Sequence, residues 1–374
     1  MTSTSIPTPA DQAFAVAPAR VNWKQVGLFV ALTFALTWLL DLAIWLSVGY
    51  RASPALGTLL QLQMLLPAFS AILLGLFVFA DSPIHISRDI GRPRWFFYFF
   101  LFYTLFYIVI GAWGMLSTAG GQTVAILGQS ITLLGLLVLI VLRLVSGRAA
   151  FARAGLGGGK LKYWLLFGVG LALFYLVQTG LNFVAGLGKP VDLAAFLAAV
   201  APSGNQQQML QMAQTAPLAF LAMTGAQSVF LSPLIALLIT FGEEYGWRGY
   251  LQGELVKLGR VRGIALVGLI WGIWHAPIIL MGHNYPGYPI AGVLMMTAYC
   301  IGLAFVLGYA VLKSGSVWLA AYLHGVNNQT FSFLAMMVYA PAHPLFAFGI
   351  GLGGVASLGL VALLITTDPL WKER

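Results

Sequence analysis

The chain has 374 residues, 60 % of them hydrophobic and only 8 % charged, with a mean hydropathy of +0.90 and a formal net charge of +9. Hydrophobicity at this level excludes an ordinary soluble domain, and the many apolar runs of about 20 residues match the ~30 Å hydrocarbon core of a bilayer. A single cysteine, Cys300, excludes an internal disulfide framework and a cysteine-rich metal site. No basic tract with interleaved aromatics marks a nucleic-acid surface, so no nucleic-acid partner is expected.

In chain order, residues 1–24 are polar and rich in Ser, Thr, Pro and Ala. They lack the basic n-region and short h-region of a cleaved signal peptide and read as a disordered tail. Five apolar segments follow, at 26–48, 55–80, 95–116, 124–142 and 163–185. Between the fourth and fifth, the glycines from Gly155 to Gly159 make a cytoplasmic loop; they follow no strand, which argues against a phosphate-binding loop. Residues 187–217 form the longest outer segment, with a short surface helix expected over 191–200. Five further apolar segments cover 218–247, 264–281, 290–312, 317–339 and 345–366. Ser232 followed by Pro233 reads as a helix N-cap with proline in the first turn, a start for the helix that carries the acidic residues described below.

The expected fold is therefore an all-α, polytopic transmembrane bundle of about ten spans, with the region 187–233 leaving the range at eight to ten. The division is a tail at 1–24, N-terminal spans of unassigned role at 25–217, a core that carries the chemistry at 218–340, and a last span with a short cytoplasmic tail at 341–374. Cationic residues set the orientation, because Lys and Arg accumulate in cytoplasmic loops. With the N-terminus inside, seventeen of the nineteen fall on inner segments, and only Arg51 and Lys189 fall outside. Both termini are expected in the cytoplasm, and the net charge is explained by membrane orientation.

Phe241 to Tyr250 reads FGEEYGWRGY and places Glu243, Glu244 and Arg248 in an apolar stretch. A carboxylate in a membrane interior costs about 2.5–3.5 kcal/mol on insertion scales, which makes it a functional-site candidate. Two of the five histidines also lie inside apolar segments, His275 in WGIWH and His324 in HGVNN. Depth can be counted from each segment's cationic boundary at about 1.5 Å per residue. Glu243 lies about 21 Å from Lys257, His275 about 20 Å from Arg262, and His324 about 16 Å from Lys313 at that rise. Three polar side chains at matched depth on separate helices call for one shared, water-accessible pocket.

Spacing divides the roles. Glu244 and Arg248 stand at i and i+4 with the acid nearer the N-terminus, the favourable order for an ion pair, so Glu244 is expected to be neutralised and structural. Glu243 points about 100° away and faces the histidines, where an apolar surround suits a general base. His324 shares a helix face with Asn327 and with Asn328, and an imidazole with an amide can donate to a developing oxyanion. Imidazole and carboxylate also suit Zn²⁺, which leaves Glu243, His275 and His324 as metal ligands if a metal is bound.

The three motifs, Glu243-Glu244-x-x-x-Arg248, Trp271-x-x-x-His275 and His324-x-x-x-Asn328, resemble those of the CPBP family, the CAAX proteases and bacteriocin-processing (Abi) enzymes. The resemblance covers roughly 231–330, in the family's order, with Trp271 where the family usually has Phe. It implies intramembrane hydrolysis of membrane-associated, lipidated (CAAX-like) or bacteriocin-like peptides. The residue matching Glu243, helped by that matching His275, activates water, and those matching His324 and Asn328 hold the oxyanion. Glu244, Arg248, Trp271 and Asn327 support them. The resemblance admits both a metalloprotease with Zn²⁺ and a metal-free glutamate mechanism. The implied partners are a peptide or protein substrate and the lipid bilayer, and the implied location is a multi-pass protein of a bacterial plasma membrane. The competing class is a non-catalytic membrane protein, an immunity factor, scaffold or transporter, that uses the same polar pocket for binding.

Overall fold

The computed structural model describes residues 20–50, 53–82, 84, 91–117, 121–200 and 206–372. Most of the expected tail, residues 1–19, lies outside them. Its end does not: α1 (Trp23–Ser47) starts behind Asn22, whose side chain accepts from Gln25 N as an N-cap. Four helices follow, α2 (Leu56–Phe77), α3 (Arg94–Leu116), α4 (Gly121–Ser146) and α5 (Leu161–Val184). The outer segment holds strand β1 (Gly188–Pro190) and two short helices, Leu193–Val200 and Gln206–Thr215. Then come α6 (Pro217–Ile235), α7 (Leu237–Glu244), α8 (Arg260–Trp274), α9 (Ala276–Leu280), α10 (Pro289–Ser314), α11 (Val317–Phe333) and α12 (Leu352–Ile365). Strand β2 (Tyr339–Pro341) pairs antiparallel with β1, Gly188 opposite Pro341.

The chain is an all-α polytopic bundle. Among the described residues, seven helices, α1 to α6 and α10, are long and apolar enough to cross a membrane. The other three of the ten expected spans are built from shorter pieces. In 264–281 the chain turns at His275, because Pro277 has no N–H to give and its ring would meet the carbonyl one turn back. In 317–339, α11 runs into a wide π-turn, Leu334–Val338, and then into β2. In 345–366 the regular helix is only the 14 residues of α12.

The expected N-cap at Ser232 is not formed. Ser232 is itself helical, preceded by a π-turn at Gln227–Leu231, and the helix breaks instead at Ala236 (φ −78°, ψ 0°). The acidic residues therefore close a short helix, α7, and a second π-turn, Tyr245–Leu251, follows directly. Single-turn π-bulges of this kind recur at functional sites.

Packing around α7 sets the position of the site. It lies between α2 and α11, while α8 packs along α10 and α11 also meets α5. α2 is the most enclosed of the long helices, with 78 % of its apolar window buried against 11 % for α6. Gly242 lets α7 approach α2 closely: a Cβ there would stand 2.5 Å from Met64 O and 2.7 Å from Leu65 Cα. Gly246, one turn on, would meet Pro67 at 2.5 Å. Small residues four apart are a usual way for membrane helices to bring their backbones together. On the opposite side of α7, Phe241 stacks on Trp318 with centroids 4.1 Å apart. Both described ends of the chain meet one end of the bundle: Asn22 N donates to Glu254 Oε2, and Arg260 donates to Leu370 O.

Candidate active site

Glu243, His275, His324 and Asn328 line a single cavity of about 370 Å³ inside the bundle. Its walls come from α2 (Gln63, Met64), α7, α8 (Trp271, Trp274), α10 (Met296, Tyr299, Cys300) and α11. The convergence expected from matched depth is thus present in the fold. The break after Trp274 places His275 on the wall, where the end of α8 meets the cavity.

Each candidate is held by a specific partner. Glu243 is 3 % exposed, and its Oε2 accepts the indole N–H of Trp271 at 2.7 Å. The aromatic residue expected to support the site therefore supplies a hydrogen bond that a phenylalanine lacks. With Oε2 occupied, Oε1 is the oxygen left to meet a small molecule in the cavity. His275 Nδ1 lies 2.9 Å from Trp271 O. A carbonyl only accepts, so Nδ1 carries the proton and Nε2 keeps its lone pair.

Behind the cavity is a buried charge cluster. Glu244 Oε1 accepts from Arg248 Nη1 at 3.0 Å, both side chains fully enclosed, as the i, i+4 spacing anticipates. The same Oε1 lies 2.8 Å from His324 Nδ1. Beyond the ion pair and structural role expected of it, Glu244 holds a cavity imidazole by the nitrogen that faces away from the cavity. His324 then offers Nε2 inward, as an acceptor when neutral and as a donor when protonated. The Arg248 guanidinium also lies 4.2 Å above the centre of the Trp271 ring, a cation–π contact in a desolvated setting.

Asn327, grouped with the supporting residues, accepts at Oδ1 from Tyr299 at 2.8 Å and from Tyr175, and its Nδ2 donates to Asn328 Oδ1 at 2.9 Å. Other wall residues carry no motif that singles them out. Gln63 donates to the buried Asp41 of α1 at 3.3 Å. His283, in the loop between α9 and α10, also reaches the cavity, with its Nδ1 2.7 Å from Tyr50 Oη. Cys300 is buried, 3.9 Å from His275 Nδ1. An outer-loop histidine or a tyrosine in a distant span can be recognised only from tertiary contacts.

A Zn²⁺ site takes at least three close protein ligands. Among the described residues no group of three or more His, Cys, Asp or Glu side chains is arranged to hold a metal ion. Glu243 Oε2, His275 Nδ1 and His324 Nδ1 are all engaged by protein partners. Those bonds orient the outer atoms, as they do in metal ligands, and leave Glu243 Oε1, His275 Nε2 and His324 Nε2 as the atoms that would hold an ion.

No curated protein matches the chain. Residues 225–330 match the family model described as Type II CAAX prenyl endopeptidase Rce1-like. That segment contains every cavity residue with a proposed chemical role, and it leaves α1 to α5 unmatched. Over residues 225–330, 106 of the 374, the chain is similar to the Type II CAAX prenyl endopeptidases of the Rce1-like family.

Proposed function

We propose that the chain is an intramembrane endopeptidase in which Glu243 activates the water that hydrolyses a peptide bond of a membrane-associated or lipidated peptide. One observation carries this reading: Glu243, His275, His324 and Asn328 share one cavity inside a bundle of apolar helices. Polar groups at that depth are costly unless they do something together.

The steps use groups of this chain. A water bound between Glu243 Oε1 and His275 Nε2 attacks the peptide carbonyl carbon as Glu243 takes its proton. The Trp271 indole keeps the carboxylate from rotating during that transfer. The oxyanion that forms lies against Asn328 Nδ2 and His324 Nε2, with protonated His324 as the donor. Such preorganised donors are worth about 10²–10³ in kcat each. Glu243 then passes its proton to the leaving amide nitrogen, the C–N bond breaks, and a carboxylic acid and an amine leave, the acid's proton then passing to the amine. Glu244 and Arg248 keep His324 and Trp271 in place without touching the substrate.

The substrate is expected to reach the cavity from the membrane, as a CAAX-like or bacteriocin-like peptide held by its apolar or lipidated part. The test compares the membrane peptidomes of cells carrying the wild-type protein and Glu243→Ala at equal protein levels. Peptides that accumulate uncleaved in the variant are expected, and their termini report the substrate class. Identical peptidomes, together with a preserved cellular phenotype, would favour the non-catalytic binding class.

A further inference from the structure

We propose that Tyr175 and Tyr299 are positioning residues that fix, through Asn327, which end of the Asn328 amide faces the cavity. The proposal rests on the reading of Asn328 as an oxyanion donor, and it brings into the reaction a residue of α5, outside the segment that matches the family.

An asparagine side chain offers an acceptor at Oδ1 and donors at Nδ2 on two ends of nearly the same shape. Only the Nδ2 end can stabilise an oxyanion; with Oδ1 turned inward, Asn328 would repel it. Asn328 therefore needs something that tells its two ends apart, and the residues around it form a chain that does so. Tyr175 and Tyr299 are 1 % and 4 % exposed, their hydroxyls lie 2.5 Å apart, and both donate to Asn327 Oδ1. Asn327 then turns Nδ2 toward Asn328, where it meets Oδ1 at 2.9 Å. With Oδ1 so engaged, Nδ2 is the end of Asn328 left for the cavity that this residue lines.

Proton counting shows why the chain runs in this direction. The two hydroxyls carry two protons. If Asn327 Nδ2 faced them, one hydroxyl could donate to the other, and the second proton would be buried without an acceptor. A buried donor left unpaired costs about 1–3 kcal/mol. With Oδ1 facing them, either both protons go to its two lone pairs or one hydroxyl donates to the other, which donates to Oδ1, and nothing is stranded. The hydroxyl pair thus fixes Asn327, and Asn327 fixes Asn328. The tyrosines touch no substrate.

The chain has six asparagines, so selective ¹⁵N-asparagine labelling gives six side-chain NH₂ pairs, assignable by substitution in detergent-solubilised protein. In the wild type the Asn328 NH₂ should exchange its protons with water readily, and the Asn327 NH₂ should be protected. Tyr175→Phe/Tyr299→Phe, which keeps both rings, should erase the difference. Asn327→Asp, an acceptor at both oxygens, should turn Asn328 Nδ2 away from the cavity and protect it. A protected Asn328 NH₂ in the wild type, or a pattern unmoved by these variants, would overturn the proposal.

Activity adds a second readout on a peptide recovered from the peptidome comparison. The tyrosine pair variant should lower kcat by about tenfold or more with KM changed less than about twofold, and Asn327→Asp should approach the loss seen in Asn328→Ala. In an Asn328→Ala background the tyrosine substitutions should add nothing. If Asn328→Ala itself leaves kcat unchanged while the exchange pattern holds, the oxyanion assignment fails and the positioning chain stands. If Asn328→Ala lowers kcat and the tyrosine pair variant does not, the positioning chain fails alone.

Discussion

Breaking the ion pair behind the cavity separates what holds the site from what performs the reaction. Glu244 and Arg248 have fully enclosed side chains 3.0 Å apart, and Arg248 Nε and Nη2 and Glu244 Oε2 have no other hydrogen-bond partner. Arg248→Met removes one charge of the pair and leaves the Glu244 carboxylate with His324 Nδ1 alone, a change that costs about 3–5 kcal/mol when a buried pair is broken from one side. At about 2 °C per kcal/mol for a chain of this size, the apparent melting temperature should fall by about 6–10 °C. Glu244→Gln should fall by a similar amount. Glu244→Gln/Arg248→Met removes both charges, and because a buried pair replaced as a unit is close to neutral, most of the loss should be regained. Activity should not return with it, since His324 Nδ1 then faces a neutral amide in place of a carboxylate. The assay is thermal unfolding in detergent at a fixed scan rate, paired with cleavage by the same preparations. An Arg248→Met protein as stable as the wild type, or a double variant no more stable than the singles, would show that the pair does not hold α7 in place.

Three further outcomes follow from local geometry. Gly242→Ala puts a methyl carbon 2.5 Å from Met64 O, which must part α7 from α2, and it should cost about 1–3 kcal/mol, read as a lowered melting temperature. Trp271→Phe keeps a ring beneath Arg248 and the carbonyl that His275 uses, yet removes the indole donor to Glu243; kcat should fall by up to about tenfold with the melting temperature unchanged. At the C-terminal end, hydrogen bonds from Lys313 and then from Tyr309 hold the Asp368 carboxyl down at about 2. A carboxyl held below its unfolded value of about 3.9 contributes stability above that pH and loses it as pH falls through about 2. A spin label at Lys372→Cys, in a Cys300→Ser background, should therefore gain mobility between about pH 4 and pH 2, and Asp368→Asn should show that mobility already at neutral pH.

What could be read from the residues alone depended on how local the signal was. The Glu244–Arg248 pair follows from one turn of helix, and the shared cavity follows from polar side chains at one depth in helices that cannot bury them separately. The partner of His324 was beyond such reasoning: whether its ring reaches Glu243 or Glu244 depends on the register between α7 and α11, set by how closely α7 packs. Tyr175, Tyr299 and Gln63 lie on three other helices with no motif around them, and they become visible only through their bonds to Asn327 and Asp41. Hydropathy ran across breaks that hydrogen bonding enforces. Pro277 announces the one at His275, but the turn at Ala236 has no residue of its own to signal it, and the Ser232-Pro233 pair pointed four residues too early.

The central claim is that the Glu243 carboxylate takes the proton of the attacking water. Glu243→Gln keeps the size of the side chain and an oxygen to accept from Trp271, and removes the base. Wild type and variant, purified and reconstituted in lipid nanodiscs, should be compared for cleavage of a peptide recovered from cells. Cleavage should fall by about a hundredfold or more in the variant, with an unchanged melting temperature and unchanged peptide binding. Cleavage by a well-folded Glu243→Gln protein at a rate close to that of the wild type would show that the Glu243 carboxylate does not take the proton.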